Sequence, residues 1–96
     1  MTESPLLTAH RLVHEDRGAD YGAPLDDFGR TATAASAFLS EKLRAPLSPE
    51  DIALIMICVK LSRQANKAKL DNLVDCAGYV ETWQMVLDER ARRAGA

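Results

Sequence analysis

Lys60, Arg63 and Lys67 recur at steps of three and four residues, and so do Asp71, Asp75 and the pair Gly78-Tyr79 further along. On helices each set forms a single stripe. A chain reversal near Lys69 turns the two stripes toward each other. Arg63 then faces Asp75, Lys67 faces Asp71, and Lys60 lies opposite Gly78, where no side chain competes for room. Two chemistries fit this pattern. Beside a cavity, Lys60 and Arg63 would bind phosphate oxygens, Arg63 through its bidentate fork. Asp71 and Asp75 would hold Mg²⁺, which takes one or two carboxylates and keeps several waters. Tyr79 would stack on a base or donate from its hydroxyl. In the open, the same residues are a structural clasp of ion pairs, each contributing about 0–1 kcal/mol.

Three further groups could do chemistry. Asp16, Asp20, Asp26 and Asp27 surround Tyr21-Gly22 in a glycine-containing stretch. Turn and cap chemistry accounts for the aspartates, with Asp26 read as a helix cap. Asp20 and Tyr21 could also fold over the same site, adding a ligand and an aromatic wall. His10 and His14 have the i, i+4 spacing of a two-histidine metal face. No glutamate stands between them in the HExxH manner and no third ligand can be named, so they are read as exposed polar residues. The sequence contains neither a P-loop nor a GxGxxG. Residues 63–67 lack the aromatic interleaving of single-strand nucleic-acid binding.

The elements that must position these residues are helical. Ser4-Pro5 is a helix start, a hydroxyl N-cap before a proline at the first position. Gly18, Gly22 and Pro24 mark the following loop. Asp26 is expected to open a second helix with the apolar stripe Phe28, Ala32, Ala35, Leu39 and Leu43, stopped by Pro46. Ser48-Pro49-Glu50-Asp51 is the strongest start signal in the chain. Residues 52–59 are apolar on every side, which predicts a central helix surrounded by neighbours or by a partner subunit. Their β-branched content would also permit a buried strand, but the flanking residues favour helix. The last helix starts near Asp71 and is expected to bury Leu73, Ala77, Val80 and Leu87, with Cys76 and Trp83 alongside. Trp83 and Phe38 read as core residues. The pattern predicts an all-α, compact four-helix bundle-like domain, residues 1–96, with helices at about 4–16, 26–44, 49–67 and 71–93.

Ninety-six residues suit one domain, and a chain of this size buries only about two-thirds of its unfolded surface. Self-association, as a homodimer or higher homo-oligomer, would hide more of its apolar face. A formal charge of −2 argues against general nucleic-acid binding, which wants a basic surface. Arg90, Arg92 and Arg93 read as cations favoured by a helix C-terminus. Cys58 and Cys76, without a CxxC, suit buried thiols in a reducing compartment. The N-terminus has no secretory pattern, and the longest apolar run is far below the roughly 20 residues that span a bilayer. A cytoplasmic protein that does not enter membranes is expected.

The order Tyr21-Gly22, Phe28, Asp51-Ile52-Ala53, Met56, Lys60-Leu61-Ser62-Arg63, Asp71 and Asp75-Cys76-Ala77-Gly78-Tyr79 resembles a small bacteriophage family of unknown function. It is similar in pattern to the nucleotide-modification-associated domain of phages. The resemblance runs from about residue 6 to residue 83, and it implies a phage-encoded all-α protein of nucleotide metabolism, acting in the host cytoplasm. A broader likeness is to the all-α nucleotide pyrophosphohydrolases of the MazG type. Those hold Mg²⁺ with an ExxE and an ExxD step, and neither spacing is found here, so nothing catalytic is carried over.

Together these readings predict a protein that binds or processes a nucleotide or related phosphate compound, with Mg²⁺ if it is catalytic. Lys60, Arg63, Tyr79 and Tyr21 would contact the ligand, and Asp71 and Asp75 the metal. Without catalysis the same site would sequester a nucleotide or regulate a host enzyme. The alternative is a non-enzymatic helical oligomerisation or protein-interaction module, its charged stripes a clasp and its apolar helix a subunit interface.

Overall fold

The computed structural model describes residues 3–17 and 21–95, which form four helices and no strand. Helix α1 covers Pro5–Arg11 and runs on as a π-helical turn, Leu12–Arg17. Helices α2, α3 and α4 cover Pro24–Phe38, Pro49–Asn66 and Leu70–Ala94. The all-α bundle expected from the pattern is therefore present. Helix α4 packs along α3 and α1, and α2 packs against both α3 and α4. The result is a flattened bundle of 46 × 37 × 19 Å, about two helix diameters thick.

Helix starts follow local chemistry. The Ser4 hydroxyl accepts a hydrogen bond from the Leu6 N–H at 3.3 Å, with Pro5 at the first helical position. At α3, Ser48 and Asp51 form a reciprocal capping box: Asp51 N–H donates to Ser48 Oγ, and Ser48 N–H to Asp51 Oδ2 at 2.8 Å. Helix α2 departs from expectation at both ends. Ala23 is its N-cap and Pro24 its first residue, so Asp26 lies inside the first turn and is not the cap. The helix stops at Phe38 and does not reach residue 44. There the Ser36 hydroxyl accepts the Leu47 N–H at 2.8 Å, drawing the following segment back across the last turn.

The buried side chains are few and small: Ala9, Val13, Ala32, Ile52, Ala53, Val74 and Val86 among the described apolar residues. Helix α4 turns Asn72, Val74, Gly78, Thr82 and Val86 inward. The predicted stripe is rotated out of the core, since Leu73, Val80 and Leu87 are exposed and Ala77 half-covered. The reason lies at Gly78, where an added Cβ would stand 3.4 Å from Val13 Cγ2 and 3.9 Å from Ala9 Cβ. Small residues let α1 approach the α4 backbone closely, and that seat fixes the rotation of the helix. Helix α3 is likewise covered on one side only: Ile52 and Ala53 are buried, but Leu54, Ile55, Cys58 and Leu61 are exposed. It is not surrounded by its own chain, and Cys58 is not a buried thiol. Phe38, expected in the core, is 90% exposed at the end of α2, while Trp83 is half-buried.

Candidate functional site

The two charged stripes meet at one point. Lys60 Nζ lies 3.0 Å from Asp75 Oδ2, and each side chain is about four-fifths covered. This is a different register from the one predicted, in which Lys60 lay opposite Gly78. Residues 67–69 form the reversal, and Gln64 Oε1 fastens it by accepting from Lys69 N–H at 2.9 Å and Asn72 Nδ2 at 3.1 Å. Arg63, Lys67 and Asp71 stand exposed. Asp71 and Asp75 line a shallow groove of about 420 Å³ together with Glu3 and Thr8, on the side facing α1. Beside the ion pair, Cys76 is partly covered. Desolvation, with the Asp75 carboxylate second, holds its thiol pKa above the ordinary value.

The two tyrosines come together elsewhere. Tyr21 and Tyr79 line a cleft of about 440 Å³ with Pro24, Asp27, Phe28 and Met85. Phe28 and Tyr79 face each other at a ring-centroid distance of 6.3 Å, within the range of aromatic pairing. Gly22, at φ 76°, makes the turn that carries Tyr21 to the start of α2. The described lining includes one carboxylate and neither lysine nor arginine. The predicted ligand residues are thus divided: the aromatic pair shares a cleft, Lys60 is engaged by Asp75, and Arg63 lies outside the cleft. Asp20, expected beside Tyr21, lies outside the described residues, as does the Asp16 side chain.

A third group was only half visible in the sequence. His10 and His14 stack with ring centroids 4.3 Å apart, and Glu81 of α4 reaches both. Its Oε2 is 3.5 Å from His10 Nε2 and 3.3 Å from His14 Nε2. Glu81 is 67 residues from His14, so only the packing of α1 on α4 reveals it.

The arginines near the end of α4 do more than answer the helix dipole. Arg90 makes a bidentate bond to Glu50 of α3, and Arg93 reaches both Asp26 oxygens at 2.7 and 2.8 Å. Glu89 accepts from Arg92 and Arg93. These guanidinium bonds lower the Asp26 and Glu50 pKa values and hold Glu89 at about 2.

No helix here is long and apolar enough to cross a membrane among the described residues. No solved structure matches the chain. It is 36% identical over 91 residues to the "Gene 55 protein" of Mycobacterium phage L5, covering 91% of this chain and 56% of that protein. To the "Gene 55 protein" of Mycobacterium phage D29 it is 32% identical over 90 residues, covering 93% of this chain and 57% of the other. The chain therefore spans just over half the length of these curated relatives. Residues 4–91 match the phage-borne family that the motif order resembles, and on that match the chain belongs to the family described as a domain of unknown function, DUF6378.

Proposed function

We propose that this chain acts as a non-enzymatic helical module that self-associates through the outer stripe of α4. Leu70, Leu73, Ala77, Val80, Gln84 and Leu87 alternate at steps of three and four, the spacing of a helix–helix seam. The observation that carries the reading is that this stripe faces outward, with its four largest aliphatic side chains 40–58% exposed. The area supports it too. The chain exposes 6636 Å², about 1,200 Å² more than a tightly rounded monomer of 10.5 kDa. A standard interface takes roughly 800 Å² from each partner. A radius of gyration of 14.5 Å, against about 12.5 Å for a rounded chain of this length, fits a subunit waiting for cover. The occupant is a second copy, meeting the first across a two-fold axis so that one stripe serves both sides. Light scattering after size exclusion, over a concentration series, tests it. The wild type should run as a dimer or larger, and Val80→Glu as a monomer of unchanged helicity, because Val80 is 58% exposed and outside the buried core. A monomeric wild type at its highest soluble concentration would refute the proposal.

A second reading rests on the aromatic cleft: a planar ring such as a nucleobase between Tyr21 and Tyr79. Its support is the facing pair Phe28 and Tyr79 and a volume suited to a small ligand. A phosphate group gains no cation from the described lining. Mg²⁺ on Asp71 and Asp75 would first have to displace Lys60 from Asp75. This part of the nucleotide reading is the weaker one.

A further inference from the structure

We infer that His10, His14 and Glu81 form a binding site for a zinc-class divalent ion. Their donor atoms, one from each side chain, all lie within 4.8 Å of one another. Four tetrahedral ligands at roughly 2.0–2.1 Å from zinc stand about 3.3–3.4 Å apart. Glu81 Oε2 already lies 3.3 Å from one histidine nitrogen and 3.5 Å from the other. The two histidine nitrogens lie within 4.8 Å of each other, and the His10 side chain, 64% exposed, has room to close on that spacing.

The backbone beneath the three residues is fixed. His10 and His14 each follow a buried neighbour, Ala9 and Val13, and both neighbours sit on Gly78 of α4, one turn before Glu81. His10 lies in α1 and His14 inside its π-helical turn, a local departure from α-helix that is frequent at functional sites. The three ligands are thus placed by two helices packed at van der Waals distance, and no loop has to order for the site to form. A metal ion placed between the three side chains would accept one lone pair from each neutral imidazole and one from the carboxylate, so all three groups would serve as ligands at once.

The donor set selects the ion. Two imidazoles and one carboxylate suit Zn²⁺, Co²⁺ or Ni²⁺ and are poor for Mg²⁺ and Ca²⁺, which want oxygen throughout. Three protein ligands leave the remaining positions to water, on a surface that opens toward Leu6, Leu7 and Val80. The site borders the α4 stripe at Val80 and Gln84, but its three ligands all come from one chain and none of them belongs to the stripe or to the aromatic cleft.

Calorimetric titration of the chelator-stripped 96-residue chain with Zn²⁺ tests it, with the Co²⁺ visible spectrum as a second readout. One ion per chain should bind and raise the unfolding temperature, with Mg²⁺ producing no shift. H14A and E81Q should each weaken Zn²⁺ binding at least as much as losing an outer partner of a metal ligand does, roughly 10–100-fold. Circular dichroism should show both variants folded, since neither residue is in the core. C58S should bind as the wild type does, which separates this site from the exposed thiol. Absence of Zn²⁺ binding, or binding that H14A and E81Q leave unchanged, would overturn the inference.

Discussion

Lys60 and Asp75 each give up most of their hydration to meet between α3 and α4. Removing Lys60 from a pair that is about four-fifths covered takes away a charge-assisted contact of Asp75, a loss on the order of 1 kcal/mol. Tyr79 has a different role, since its ring forms a wall of the cleft. A thermal-shift series with nucleosides and nucleoside triphosphates separates the two. K60M should lower the melting temperature without ligand and leave any nucleoside-induced shift in place; Y79A should abolish that shift. If K60M instead removed the response to triphosphates at unchanged basal stability, Lys60 would be a phosphate ligand after all. The chemistry of these side chains was legible in the sequence, but their partners were not. Which lysine meets which aspartate depends on a three-residue turn set by Gln64, and Glu81 joins the histidines only through a helix contact.

Helices α1 and α3 start where their residues predict because capping is a contact between near neighbours. Ser48 and Asp51 need only each other's backbone to close the box at α3. Removing the hydroxyl with Ser48→Ala leaves the Asp51 N–H without its acceptor and should cost about 1 kcal/mol. In a chain of this length that lowers the unfolding temperature by roughly 4–8 °C. Ser48→Asp should recover most of it, because Asp caps as well as Ser. An unchanged melting temperature in the alanine variant would mean that tertiary contacts alone hold the start of α3. Helix ends and faces were less legible for the same physical reason in reverse. The end of α2 is fixed by Ser36 reaching a residue eleven positions away, and the inward face of α4 by a glycine that admits α1. Periodicity grouped Leu73, Ala77, Val80 and Leu87 on one face of α4, but that face was expected in the core and lies outward, because periodicity alone does not say which face a neighbouring helix will meet.

Across the whole molecule, a core of small residues is supplemented by arginine–carboxylate bonds that tie the end of α4 to its neighbours. Arg90 holds Glu50 of α3, Arg93 holds Asp26 of α2, and Glu89 joins Arg92 and Arg93. In the folded chain these carboxyls have pKa values below their ordinary 4.5 or 3.8, that of Glu89 reaching about 2. A depressed folded value means the native state binds fewer protons than the unfolded one as acid is added. The stabilisation is complete above about 4.5 and drains away as pH falls toward 2. Urea midpoints should therefore stay level from pH 7 to 5 and decline from pH 4.5 to 3, more shallowly in high salt, because the partners are exposed enough to be screened. In E89Q the neutral amide cannot titrate, so the decline should begin from a lower midpoint at pH 7 and be less steep. A variant whose midpoint fell in parallel with the wild type would show that Glu89 does not couple protonation to folding. The self-association proposed for the α4 stripe uses Leu70, Leu73, Ala77, Val80, Gln84 and Leu87, none of them titratable, so on that proposal light scattering at pH 4 should still show oligomers while the urea midpoint has begun to fall.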